Sequence, residues 1–237
     1  MPLAMPPRTP MTETAEALEL LQLLRLTSPA LPVGAFTGSD ALEYAVAASW
    51  VRDEASALDW IGGRLRRSLP TLDLPLLLRF QAAWCSGAPE PLARWSAYLR
   101  ASRESAELWE QDNAVGRALA RLLASLGCSK ALPWTDHADA NYPCSFALAA
   151  HHWNISPERA ASGYAYAWCE NQIAAAVKLV PLGQTAGQRL LGALIRDIPT
   201  SVRHAFQLED EEIGSSEPGL AIASALHETQ YARLFRA

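Results

Sequence analysis

The sequence predicts an all-α fold, a single-domain bundle of about eight to ten helices. Three observations predict it. Apolar residues recur at steps of three and four through nearly every segment. No segment alternates apolar and polar residues about a two-residue turn, so no hairpin is written. Half of the 237 residues are hydrophobic, enough for a sizeable core, yet no apolar run is long enough to cross a bilayer.

The elements follow in order. Residues 1–13 carry Pro2, Pro6, Pro7 and Pro10 and are expected to form a disordered leader. A first helix runs from Glu16 to Leu26 and is stopped by Ser28-Pro29. In the loop SPALPVGAFTGSD, Asp40 is placed to cap a short second helix, with Glu43 as its reciprocal partner. Asp53 is placed to cap a third helix, reaching about Ser68. A fourth covers Leu72 to Trp84, with Pro75 in its first turn. The stripe Leu92, Trp95, Leu99, Ser102, Ala106, Trp109, Asn113, Gly116 is one long helix or two with a break near Gly116. Cys144 to Trp153 is a short helix, and Ser156-Pro157 starts another that ends at Pro181. Thr185 and Gln188 have capping-box spacing for a helix that Pro199 ends or kinks. The helical core is therefore 14–208. An acidic loop occupies 209–219, and residues 220–237 form a last helix running into the tail HETQYARLFRA.

Several function classes are unsupported. The net charge is −5 and the basic residues are scattered, which argues against a nucleic-acid binder. The four cysteines contain no CxxC pair, and no secretory signal is seen, so free thiols in a cytoplasmic protein are expected. There is no GxxxxGK[ST], HExxH or GxSxG, and no enzyme is expected. His151 and His152 are adjacent, about 100° apart on a helix, and cannot easily chelate one ion together. Cys144, seven residues before His151, shares its face, and Cys and His donors suit zinc or nickel. Glu170-Asn171-Gln172 interrupts a helix that is apolar nearly all round. The triplet is either a core hydrogen-bond network or a polar patch at an interface or water path. A catalytic Glu170 would lack a companion group. The alternative to an interaction protein is a helical metal binder or enzyme using Glu170, His151 and Cys144.

Four stretches together resemble the signature segments of the urease accessory protein family UreF. They are SPALPVGAFTGSDALEYAV (28–46), RESAELWEQDNAVGRAL (103–119), ENQIAAAVKLVPLGQTAGQRLL (170–191) and HETQYARLFR (227–236). The resemblance runs in order from about residue 17 onward. Thr37-Gly38 and Asp40-Ala41 depart from it, the latter standing where the family pattern has glutamine-glycine. The resemblance implies an all-helical, dimerising protein without catalysis of its own. It implies partnership with UreD (also called UreH), the GTPase UreG and apo-urease, in a GTP-dependent chaperone that inserts nickel. Nickel and GTP are then handled by the partners, with no cofactor bound directly. The tail becomes a docking element for UreD, through His227, Glu228, Gln230, Tyr231, Arg233, Leu234, Phe235 and Arg236. Interface candidates in the other matched stretches are Pro32, Gly34, Phe36, Glu43, Glu170, Gln172, Lys178, Pro181, Gly183, Gln184, Gln188 and Arg189.

Two expectations about packing accompany this. If the last helix continues from Leu220, then Leu220, Ser224, His227, Tyr231 and Leu234 share a face, which packs on the core or on a partner. The apolar helix 157–180 would be completed across a two-fold axis, with Tyr164 and Trp168 near it.

Overall fold

A computed structural model describes the backbone of residues 10–237, and side chains from residue 14 onward except that of Phe36. Residues 1–9 of the expected leader lie outside the described residues. Among the described residues the elements are helices and no strand. They are α1 (Pro10–Leu26), α2 (Leu42–Ala47), α3 (Glu54–Arg67), α4 (Leu74–Ser86), α5 (Pro89–Ser102), α6 (Ala106–Ser125), α7 (Tyr142–His152), α8 (Pro157–Leu179), α9 (Gln184–Ile195), α10 (Ile198–Gln207) and α11 (Pro218–His227). A π-turn (Leu69–Asp73) joins α3 to α4, and a 3-10 turn (Ser129–Trp134) precedes α7.

Local chemistry sets most boundaries. Asp53 caps α3, exchanging hydrogen bonds with Ser56 in a full capping box. Pro75 sits in the first turn of α4, where its missing N–H costs nothing extra. Asn141 caps α7 by accepting from Cys144 N at 2.9 Å. The long stripe is two helices, but the break falls at Arg103–Ser105 rather than near Gly116. Arg103 is extended, and Ser105 caps α6 by accepting from Leu108 N. Gly116 instead marks a close approach: a Cβ there would lie 2.4 Å from the Asn141 carbonyl carbon.

Three predicted caps are absent. Asp40 and Ala41 both have positive φ, 48° and 63°, and Asp40 turns its carboxylate away from α2. Ser39 takes the capping role, its Oγ accepting from Glu43 N at 3.2 Å. Ser156 does not cap α8; its N and Oγ both donate to Glu19 Oε1 of α1 at 2.8 Å. Thr185 and Gln188 form no capping box, since α9 already begins at Gln184 with Gly183 as its N-cap. Gly183 and Gln184 thus mark the α8–α9 corner, and Pro181 follows the last turn of α8.

Helix α8 is the axis. It packs against α1, α2, α3, α4, α7, α9 and α10. That explains its apolar surface without a two-fold partner: Tyr164 is 5% exposed, enclosed by Tyr142 and Phe146 at ring distances of 5.4 and 5.3 Å. The expected interface position of Tyr164 is therefore a core position. Phe80 and Phe146 are fully buried, each contributing about 1.5–3 kcal/mol of transfer free energy. The exposed apolar face lies elsewhere, on α1: Leu18, Leu20, Leu21 and Leu24 are each at least half exposed. No helix among the described residues is long and apolar enough to cross a membrane.

Candidate partner-binding surface

The last helix ends at His227, and residues 228–237 run on as a turn and irregular chain. The predicted shared face therefore splits. Leu220, Ser224 and His227 are buried, whereas Tyr231 and Leu234 are exposed.

His227 is fully enclosed between two carboxylates. Its Nδ1 lies 2.8 Å from Glu107 Oε2 of α6, and its Nε2 lies 3.3 Å from Glu43 Oε2 of α2. Glu43 also accepts from Leu234 N at 2.6 Å and Phe235 N at 2.8 Å. Glu107 pairs with Arg233 Nη1 at 2.7 Å, and its backbone N–H donates to Glu228 Oε1 at 3.3 Å. Farther along, Arg236 N donates to Thr37 O at 3.0 Å, and Ser39 Oγ donates to Ala237 O at 2.9 Å. The Phe235 ring is buried, with Lys178 Nζ of α8 5.5 Å from its centroid. Two buried glutamates thus hold the tail to the body through main-chain and side-chain donors.

This clasp has an outer side. Tyr231 is fully exposed and Leu234 two-thirds exposed, at 105% and 66%. Beside them a groove of about 800 Å³ runs between α6 and the tail, lined by Glu107, Glu110, Gln111, Arg233 and Arg236 among others. Gln230 bonds within the tail, Nε2 to Ala232 O at 3.0 Å. An aromatic, an aliphatic and two arginines beside a mixed-charge groove are interface residue types.

The remaining candidates fall in four places. Glu43 and Lys178 join the tail as described. Pro181, Gly183, Gln184, Gln188 and Arg189 form an exposed corner between α8 and α9, where Arg189 pairs with Glu54 at 2.7 Å. Pro32 is exposed, Gly34 has φ +74°, and the Phe36 side chain lies outside the described residues. Gln172 is buried: its residue is 2% exposed and its Oε1 has no partner. Burial raises the Glu170 carboxyl above its ordinary value.

Sequence reasoning missed the charged interior. Arg103 binds Asp73 at 2.7 Å and Asp112 at 2.7 and 2.9 Å. Burial opposes its charge, but Asp73 and Asp112 together hold the guanidinium protonated, well above its ordinary value. Arg64 likewise pairs with Asp40 at 3.1 Å and Glu217 at 3.3 Å. It also lies 5.1 Å from the Trp168 ring, whose Nε1 donates to Asp40 at 3.0 Å. All of these groups except Glu217 line a cavity of about 90 Å³, as does Gln172. The one signal in the sequence was charge inside otherwise apolar helical stripes.

Among the described residues, no three or more His, Cys, Asp and Glu side chains are grouped to hold a metal. Cys144 is buried and burial pushes its thiol far up. The cysteine that meets His151 is Cys85 of α4, at 3.4 Å.

The UreF family model matches residues 51–195. The urease accessory protein UreF of Alkalilimnicola ehrlichii is 50% identical over 225 residues, 95% of this chain and 99% of the relative. That of Chromohalobacter salexigens is 46% identical over 215 residues, 90% and 92% of the two chains. That of Teredinibacter turnerae is 46% identical over 214 residues, 89% and 95%. With its helical architecture and this extent of identity, the chain belongs to the UreF family of urease accessory proteins.

Proposed function

We propose that the chain is a non-catalytic, cytoplasmic scaffold in urease maturation. It joins UreD to the GTPase UreG on apo-urease, and so couples GTP hydrolysis to nickel insertion. Nickel and GTP are bound by the partners. Family membership supports the urease link. The lack of a P-loop in the sequence supports leaving nucleotide chemistry to a partner.

One observation carries the docking role: the tail is clasped by Glu43 and Glu107 while Tyr231 and Leu234 point away from the body. The clasp fixes the backbone, so less ordering entropy opposes association. UreD is the proposed occupant of this side. The α8–α9 corner with Arg189 and Gln184 is the proposed contact for UreG.

The test is co-expression with UreD and UreG followed by size-exclusion chromatography. A ternary complex is expected. Separate elution of all three proteins at micromolar concentration would contradict the proposal.

A second copy of the chain is the proposed cover for the α1 leucines, since four half-exposed leucines on one helix form a patch rarely left to solvent. Light scattering on the protein should give a dimer mass. Leu21→Glu with Leu24→Glu should give a monomer.

A further inference from the structure

Of the four cysteines, Cys85 is exposed and Cys128, Cys144 and Cys169 are buried. Burial pushes the Cys169 thiol up to about 12 and Cys144 higher still. Those two are poor nucleophiles. Cys85, in the last turn of α4, has a different setting.

Two side chains line up behind its sulfur. His151, at the end of α7, places Nδ1 3.4 Å from Cys85 Sγ. Lys130, in the turn Ser129–Trp134, places Nζ 3.0 Å from His151 Nε2 and 3.4 Å from Trp84 O. An ammonium only donates, so Nε2 accepts and the ring proton is assigned to Nδ1, facing the sulfur. Burial first, and then the Lys130 charge, hold His151 below the ordinary histidine range, which keeps the ring neutral. The line runs from cation to imidazole to sulfur. The His151 N–H is thus aimed at the Cys85 sulfur, with the Lys130 charge behind it. The same lysine disfavours a metal ion at the Cys85–His151 pair, because its charge would repel a second cation.

The other side of Cys85 opens on a hollow of about 280 Å³, walled by Leu78, Ala82, Pro157 and Phe206, with Arg79 and Gln81. Gln81 is 4% exposed. Its Nε2 donates to Ile155 O at 2.8 Å, which fixes the amide and leaves Oε1 buried without a partner. Gln81 lies one turn from Cys85 on α4 and lines the same hollow, and its unmet acceptor fits a ligand that carries an N–H. Arg79 also lines the hollow, its Nε bonded to Asp210 at 3.0 Å and its Nη2 to Leu208 O at 2.6 Å, which leaves Nη1 for a ligand.

We propose that Cys85 is a reversible S-thiolation site for a low-molecular-weight thiol supplied as its disulfide, bearing an amide and a carboxylate. The Cys85 thiolate attacks one sulfur of the small disulfide. A new sulfur–sulfur bond forms to Cys85, the old one breaks, and the second small thiol leaves as its thiolate and takes a proton from water. The ligand's amide N–H is matched by Gln81 Oε1 and its carboxylate by Arg79.

Glutathione disulfide is the probe, applied to the full-length chain, with peptide mass mapping and rates measured beside those for iodoacetamide. Mixed disulfide is expected at Cys85 and at none of the other cysteines. Both reagents should act faster on the folded chain than on the urea-unfolded chain at the same pH. His151→Ala and Lys130→Met should each slow both reagents by on the order of tenfold, at unchanged helix content. Gln81→Met should slow glutathione disulfide selectively. Equal rates in folded and unfolded chain, or no slowing in Lys130→Met, a surface change that leaves the core intact, would overturn the activated thiol. An unchanged ratio of the two reagents in Gln81→Met would overturn the hollow as the binding place.

Discussion

Glu43 and His227 are 184 residues apart in the chain and 3.3 Å apart in space. Glu43 Oε1 accepts from the Leu234 amide, and its Oε2 is shared between the Phe235 amide and His227. One buried carboxylate on a six-residue helix therefore fixes both the end of α11 and the path of the tail. Glu43→Ala removes acceptors for His227 and for two amides. The expected loss is about 1–3 kcal/mol in a urea melt, with hydrogen exchange at Leu234 and Phe235 rising toward that of free chain. Glu43→Gln, which retains one acceptor oxygen, should show the smaller effect.

The interior pair is the more costly one to break. Arg103→Leu leaves Asp73 and Asp112 buried without their cation, and should cost about 3–5 kcal/mol. Arg189→Ala removes an exposed pair with Glu54 and should cost no more than about 1 kcal/mol. Equal losses in the two variants would contradict the assignment of Arg103 to the structural centre.

Gly116→Ala sets a methyl group against the backbone of Asn141, 2.4 Å from its carbonyl carbon. Backbone cannot swing aside as a flexible side chain can, so α6 and α7 must separate. A loss of about 1–3 kcal/mol is expected by thermal or urea unfolding. Gly192→Ala, with open space around the new methyl, is the control and should be neutral or stabilising.

Burial raises the Glu104 carboxyl above its ordinary value of 4.5, against the pull of Arg103 and Arg64. The native state therefore holds this proton to a higher pH than the unfolded chain does. Its contribution to stability is present below 4.5 and is lost as pH rises through the raised native value. Glu104→Gln should thus stabilise the protein at pH about 7.5, and the gain should shrink as pH falls toward the unfolded value. A gain independent of pH would show that ionisation is not its source.

Much of the fold was legible because helical stripes and proline positions are local signals. Ser156-Pro157, Asp53 and Pro75 all mark helix starts where the chain has them. The misplaced features are those decided by distant partners. Asp40 carries a cap residue's chemistry, but Arg64 and Trp168 draw its carboxylate elsewhere. Gly116 reads as a breaker, yet its missing side chain admits the Asn141 backbone. The tail is the clearest case. Its composition showed that it makes contacts, but the division between an inner side (His227, Phe235) and an outer side (Tyr231, Leu234) follows from Glu43 and Glu107. Those two glutamates lie on helices whose sequences say nothing about residue 227.

That division makes one measurement decisive. Phe235→Ala would strike the body of the protein, so the test belongs to the outer residues. Affinity for purified UreD should be compared between the unaltered chain and Tyr231→Ala with Leu234→Ala. The predicted result is a loss of about thirtyfold or more, corresponding to about 2 kcal/mol, at unchanged helix content and melting temperature. Undiminished affinity in the double variant would contradict the tail as the docking element for UreD.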